Sequence, residues 1–221
     1  GLVTLAVGAV GVLGATTLPR LSAFAGIASM GTAFTAIAAF TPQTTSAALY
    51  YILHATFATA LIFLVSDLVA RRRTHARLDR PAPPIAQSGL VAALYLVAAI
   101  AVAGMPPLSG FIGKLLILDA YREQAALVWS VILVTSFLMI LGLARAGSAL
   151  FWKTADLQPD TQPAGDAPTD RLAILATFAL VAGLAGLTVL AGPVTGWLDQ
   201  TARDLHQPAA YVDANQLAKD R

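Results

Sequence analysis

Residues 81–113 carry no Asp, Glu, Lys, Arg or His, and the apolar run from Ser88 to Leu118 is interrupted by Pro106-Pro107 and then by a lysine, Lys114. At 1.5 Å per residue the run is too long for one straight crossing of a hydrocarbon core about 30 Å thick. The prolines lack N–H groups and clash with the preceding turn, while Gly104 and Gly110 relax the backbone on either side. The segment therefore predicts two half-helices joined by a short irregular link, with Lys114 about two turns into the second half. A lysine at that depth costs a few kcal/mol, which makes it a functional candidate. Snorkelling toward an interface is the alternative, but apolar Leu115-Leu116-Ile117-Leu118 separates the ammonium from the next polar residue, Asp119. An amine withdrawn from water can take up and release a proton.

Composition agrees with a membrane solvent. The chain is 57% hydrophobic and 12% charged, against roughly 25% charged in soluble domains, and its mean hydropathy is +0.71. The net charge of +2 does not point to nucleic acid, because the basic residues flank apolar segments. Without cysteine there is no disulfide, thiolate metal site or cysteine nucleophile. The chain opens Gly-Leu-Val-Thr and enters an apolar run at once, so it is expected to be the C-terminal part of a longer protein.

Apolar segments at 1–18, 21–40, 46–70, 89–120, 127–151 and 172–198 predict an all-α membrane protein, a bundle of about six transmembrane helices with the fourth broken mid-membrane. In the second, the small residues Ala25, Gly26, Ser29 and Thr32 would let a neighbour approach closely. Thr41-Pro42-Gln43-Thr44-Thr45 is expected to be a hairpin turn. Arg71, Arg72, Arg73, Arg77 and Arg80, followed by Pro81, Pro83 and Pro84, make a basic loop, and 153–170 is a polar connecting loop. Pro193 falls near the expected end of the last span, and 200–221 is a polar C-terminal tail of weak helical character.

Two further ionisable residues fall in the third span. His54 lies near its middle, where an imidazole with a reference pKa of about 6.5 is the best available proton relay. Tyr50, Tyr51 and Phe57 stand at helical spacing from it. Asp67, beside Arg71-Arg72-Arg73, is either an interfacial ion pair worth little or an access point for protons or cations. Arg145, in the fifth span, is explained by snorkelling. No phosphate-binding glycine loop, haem-type histidine pair or metal-ligand cluster is visible, so no cofactor and no bond-making chemistry is expected.

The block Gly104-Met105-Pro106-Pro107-Leu108-Ser109-Gly110-Phe111-Ile112-Gly113-Lys114 resembles the broken, lysine-bearing helix of the antiporter-like membrane proteins. These comprise the large subunits of multisubunit cation/proton antiporters and the proton-pumping membrane subunits of respiratory complex I. The stretch from Tyr50-Tyr51-Ile52-Leu53-His54 to Ser66-Asp67-Leu68 resembles the D-type antiporter subunits in particular. Complex I relatives usually carry a lysine shortly after the matching histidine, where this chain has Ala58, Thr59 and Ala60. The resemblance implies the second half of an inverted-repeat fold. It also implies a hetero-oligomeric complex with other antiporter subunits in the plasma membrane, exchanging Na⁺ or K⁺ for H⁺. A redox-driven proton pump and a scaffold subunit are the alternatives.

Six crossings put Arg20, Arg71, Arg72, Arg73, Arg77, Arg80, Lys153 and Arg171 on one side and Arg122, Arg203, Lys219 and Arg221 on the other. The positive-inside rule makes the first side cytoplasmic and turns the C-terminal tail outward. Lys114 and His54, with Asp67 as a possible access point, are the expected proton relay, on a polar track lined by the unwound backbone of the link.

Overall fold

The computed structural model describes residues 1–73, 77–80, 87–153 and 168–208, and the regular elements among them are helical. They are α1 (Leu2–Gly14), α2 (Leu18–Ala38), α3 (Pro42–Ala70), α4 (Ser88–Ala103), α5 (Ser109–Ala120), α6 (Ala125–Gly147), α7 (Pro168–Val189) and α8 (Ala191–His206). A π-helical turn, Ser148–Trp152, extends α6. Four helices are long and apolar enough to cross a membrane: α2, α3, α6 with its π turn, and α7 from Arg171; α1 and α4 are shorter apolar helices. Large apolar side chains such as Val3, Phe137 and Leu175 are exposed on the outside of the bundle, as a hydrocarbon solvent allows and water does not. Parts of the basic loop (74–76 and 81–86), most of the expected connecting loop (154–167) and the tail from 209 lie outside the described residues.

The fourth segment is broken as its prolines and glycines predict. α4 ends in a Schellman motif: Gly104 sits in the left-handed region at φ 70°, its N–H donates to the Ala101 carbonyl, and the Met105 N–H donates to Ile100. The Pro106–Pro107 peptide bond is cis. The chain becomes helical again at Ser109.

Other boundaries differ from the sequence reading. α3 starts at Pro42 rather than Ser46, because Thr41 and Thr44 form a capping box: the Thr44 N–H donates to Thr41 Oγ1 at 3.2 Å and the Thr41 N–H to Thr44 Oγ1 at 3.0 Å. Pro42 occupies the first helical turn, where its missing N–H would have no partner anyway. Polar residues read as a turn are thus a helix start. At the other end of the chain the single segment 172–198 is two helices, broken at Leu190. Pro193 opens the second of them, since a proline is tolerated in a first turn and not further in. Residues 200–206, placed in the tail by composition, complete α8. This helix is amphipathic: Leu198 and Ala202 are buried, whereas Asp199, Gln200, Arg203 and Asp204 are exposed. It is tied to the start of α3 by a hydrogen bond from Ser46 Oγ to Asp199, by Thr45 Oγ1 and His206 Nε2 at 2.9 Å, and by the Phe40 and His206 rings at 4.7 Å.

α1 and α2 approach more closely than side chains permit. A Cβ on Gly8 would land on the backbone of Ala28, and one on Gly31 on the backbone of Leu5. The expected stripe of Ala25, Gly26, Ser29 and Thr32 is not the one used here. A Cβ on Gly26 would meet only Thr59 Cγ2 at 3.5 Å, and Ser29 reaches Tyr51 Oη on α3 at 3.3 Å. Gly31→Leu is therefore expected to force α1 off α2 and to lose most of the assembled protein, measured as the yield and melting temperature of the detergent-extracted complex.

At the end opposite α8, Leu78 N–H donates to the Thr16 carbonyl at 2.8 Å and Arg145 donates to the Ala15 carbonyl at 2.7 Å. Leu78 and the C-terminal end of α6 are thereby tied to the α1–α2 turn.

Candidate functional site

The break in the fourth segment leaves backbone groups without helical partners in mid-bundle, and side chains from two other helices converge on it. The last carbonyls of α4 have no partner within their own helix and carry the negative end of its dipole. Lys114, from α5, turns back across the link. Its Nζ donates to the carbonyl of Ala103, the last residue of α4, at 2.8 Å and to Ser136 Oγ on α6 at 2.8 Å. Hydrogen bonds from a charged donor are worth about 1.5–3 kcal/mol each. Two of them offset the insertion cost of roughly 2.5–3.5 kcal/mol for a lysine at mid-membrane. Lys114 is partly buried, while Phe111, Leu115, Leu133 and Phe137 of the same two helices, α5 and α6, are exposed. Its amine is bonded inside the bundle, so the snorkelling geometry is not the one observed.

Gly104 makes that turn possible. A Cβ there would lie 2.8 Å from Lys114 Cδ and Cε and 2.9 Å from Nζ. The residue whose left-handed backbone ends α4 is also the one over which the lysine folds.

His54 reaches the same break from α3. It is buried at 2% exposure, and its Nδ1 is 3.0 Å from the hydroxyl of Ser109, the first residue of α5. Which of the two atoms donates follows from the imidazole tautomer. A Cβ on Gly110 would sit 2.6 Å from His54 Nε2 and 2.7 Å from the Ala101 carbonyl, so imidazole and carbonyl share the space that this glycine leaves open. The Tyr51 ring packs on His54 at 5.7 Å. Tyr50 turns the other way and donates to the Leu187 carbonyl at 3.0 Å, and Phe57 lies against Gly183 of α7.

Of the four link residues singled out by sequence, Gly104 lies against Lys114 and Gly110 against His54, whereas Pro106 and Pro107 are exposed and join the two half-helices. Asp67 does not join them. It lies about 20 Å further along α3, in an exposed ion pair with Arg71 Nε at 2.6 Å, a contact of the kind worth little on a surface. Arg145 caps the end of α1 and is likewise remote from the break.

Ser136 was missed by sequence reasoning, as were the acceptor carbonyls of Ala101 and Ala103. The Thr135-Ser136 pair inside an otherwise apolar span was the available signal, since a polar side chain at that depth needs a partner.

At the α8 end, a cavity of about 920 Å³ is lined by polar groups including Thr44, Ser46, Asp119, Glu123 and Asp199. Its wall includes Leu116, two residues beyond Lys114 on α5. Among the described residues no group of three or more His, Cys, Asp or Glu is placed to hold a metal ion. The arrangement offers proton-exchanging groups and unwound backbone in a low-dielectric setting, which is equipment for moving protons or small ions.

Residues 1–140 match the family model described as NADH:quinone oxidoreductase/Mrp antiporter, TM. The chain is 26% identical over 212 residues to the D subunit of the Na(+)/H(+) antiporter of Bacillus subtilis (strain 168), covering 96% of itself and 42% of that protein. It is 30% identical over 212 residues to the N subunit of the NADH-quinone oxidoreductase of Rhodococcus opacus (strain B4), covering 95% of itself and 37% of that protein. It thus spans well under half the length of either relative. A chain in the structure of the Mrp complex from Dietzia sp. DQ12-45-1b shares its fold, with a TM-score of 0.79 at 22% identity over 96% of this chain and 47% of that one. With its broken fourth segment and a family match over most of its length, this chain belongs to the NADH:quinone oxidoreductase/Mrp antiporter transmembrane family.

Proposed function

We propose that the chain is part of one of the large membrane subunits of a multisubunit antiporter that exchanges Na⁺ or K⁺ for H⁺, and that Lys114 and His54 carry protons across the break in the fourth segment. The observation that supports this most directly is the Lys114 amine held at the free end of α4 by Ala103 and Ser136. A charged amine there repels an arriving proton or alkali cation and a neutral one admits it, so the protonation of one side chain couples two ion movements. The polar cavity at the α8 end is the route by which water and ions reach α5. The arginine-rich end faces the cytoplasm of a bacterial cell and α8 the outside, by the bias of basic residues. The partners are the other subunits of the antiporter complex, in a lipid bilayer.

The likeness to a membrane subunit of an NADH-quinone oxidoreductase supports a second reading, in which the same relay is driven by redox chemistry elsewhere in a larger complex. Everted vesicles containing the complete complex separate the two. An antiporter collapses a preformed pH gradient when Na⁺ or K⁺ is added, with no NADH or quinone present, and vesicles without this chain keep their gradient. A complex that ignores both cations and moves protons only on addition of NADH and quinone would reverse the assignment.

A further inference from the structure

Three hydroxyls lie close together on α6, and one behaves unlike the others. Ser130 donates to the Ala126 carbonyl at 2.5 Å, and Thr135 to the Val131 carbonyl at 2.6 Å and the Ile132 carbonyl at 3.1 Å. Both turn back onto their own helix, as Ser and Thr in apolar helices commonly do. Ser136 is instead turned across to α5, with Oγ 2.8 Å from Lys114 Nζ. We infer that Ser136 is a positioning residue for ion exchange, whose hydroxyl holds the Lys114 amine in both its charged and its neutral form.

The inference rests on the reading of Lys114 as a proton carrier and follows from the donors and acceptors available. A lysine ammonium has three N–H donors and no acceptor; a carbonyl can only accept; a hydroxyl can do either by rotating about its C–O bond. Ala103 and Ser136 take two of the three N–H groups. The third is the one free to leave: its proton passes to a water molecule of the ion path, forming hydronium, and the N–H electron pair remains on Nζ as a lone pair. That lone pair now needs a donor. The Ala103 carbonyl cannot be one, whereas the Ser136 hydroxyl can: rotation about Cε–Nζ turns the lone pair towards Oγ, and rotation about the C–O bond turns the hydroxyl hydrogen towards Nζ, with no heavy atom moved. The neutral amine then keeps its place over Gly104, where the next proton reaches it. Without the hydroxyl the lone pair is unsatisfied in an apolar setting, and the neutral state loses both stability and position.

The test compares Ser136→Thr with Ser136→Val, two side chains of the same shape of which only the first has a hydroxyl, in everted vesicles holding the complete complex. Ser136→Thr is expected to exchange cations within about twofold of the wild type, and Ser136→Val to fall by about tenfold or more at equal complex yield. Equal activity in the two variants, whether both high or both reduced, overturns the inference, because packing alone would then account for Ser136. Should Ser136→Val fail to assemble, Ser136→Ala, which fits the same space, is read against Ser136→Thr in the same way. Lys114→Ala is measured alongside. If Lys114→Ala still exchanges, the proton-carrier reading itself is wrong. If Lys114→Ala is inactive while Ser136→Val is fully active, only the role of Ser136 is lost.

Discussion

Lys114→Ala is expected to abolish cation-driven proton exchange, by at least about a hundredfold, while the complex assembles in normal amount. Both outcomes follow from the geometry of the amine. Assembly should survive, because the substitution removes an ammonium that is costly to insert and leaves behind only one backbone carbonyl and one hydroxyl, which can turn back onto its own helix as the neighbouring Thr135 does. Exchange should not survive, because no other side chain among the described residues bridges α5, the end of α4 and α6 with a group that changes charge. Lys114→Arg sharpens the test. A guanidinium keeps the positive charge and the donors but does not deprotonate in a protein. If Lys114 is only a fixed counter-charge for the α4 dipole, Lys114→Arg retains exchange; if it is a proton carrier, Lys114→Arg is as inactive as Lys114→Ala. Rates from dye-monitored pH gradients in everted vesicles, normalised to complex content, decide between these outcomes.

Gly110→Ala is expected to be nearly as damaging through a single methyl group. The added Cβ would stand 2.6 Å from His54 Nε2 and 2.7 Å from the Ala101 carbonyl, well inside van der Waals contact. The carbonyl belongs to α4 and cannot rotate away, and His54 is held by the Ser109 hydroxyl on one side and Tyr51 on the other. Either α5 backs away from α3 or the imidazole leaves its partner, at a cost of about 1–3 kcal/mol for overpacking. The expected result is a melting temperature lowered by several degrees and exchange reduced at least about tenfold. Gly186→Ala on α7 is the control, since a Cβ there meets nothing within 4 Å, and it should be neutral in both measurements. Normal exchange in Gly110→Ala would show that His54 does not need the contact that the break provides.

The two prolines, the flanking glycines and the overlong apolar run made the broken helix legible without coordinates, because a missing N–H and a crowded ring act on the residues next to them whatever the rest of the chain does. Lys114 and His54 could be singled out as candidates for a related reason: an ionisable side chain in an apolar segment stands out against its own surroundings. The ends of elements were less so. Thr41-Pro42 was read as part of a turn and Pro193 as lying near the end of the last span, and both prolines lie in first helical turns. A proline near a boundary marks that a helix cannot run through it, and which side the helix lies on is settled by capping and packing.

By itself, then, the sequence determined a membrane-spanning helical chain and the position of the break in its fourth segment, both of which depend on local sterics and on the difference between water and hydrocarbon as solvents. Only the tertiary structure decided where each ionisable side chain goes. It brought His54 and Lys114 to one break, left Asp67 in a surface pair with Arg71 and used Arg145 as a helix cap. It also supplied the partners that no local pattern announces, the Ala103 carbonyl and the Ser136 hydroxyl, and docked α8 on the start of α3. The reason is one of range: a hydrogen bond between α5 and α6 depends on where two rigid rods cross, and that is set by the packing of small residues along their whole length rather than by the residues that form the bond.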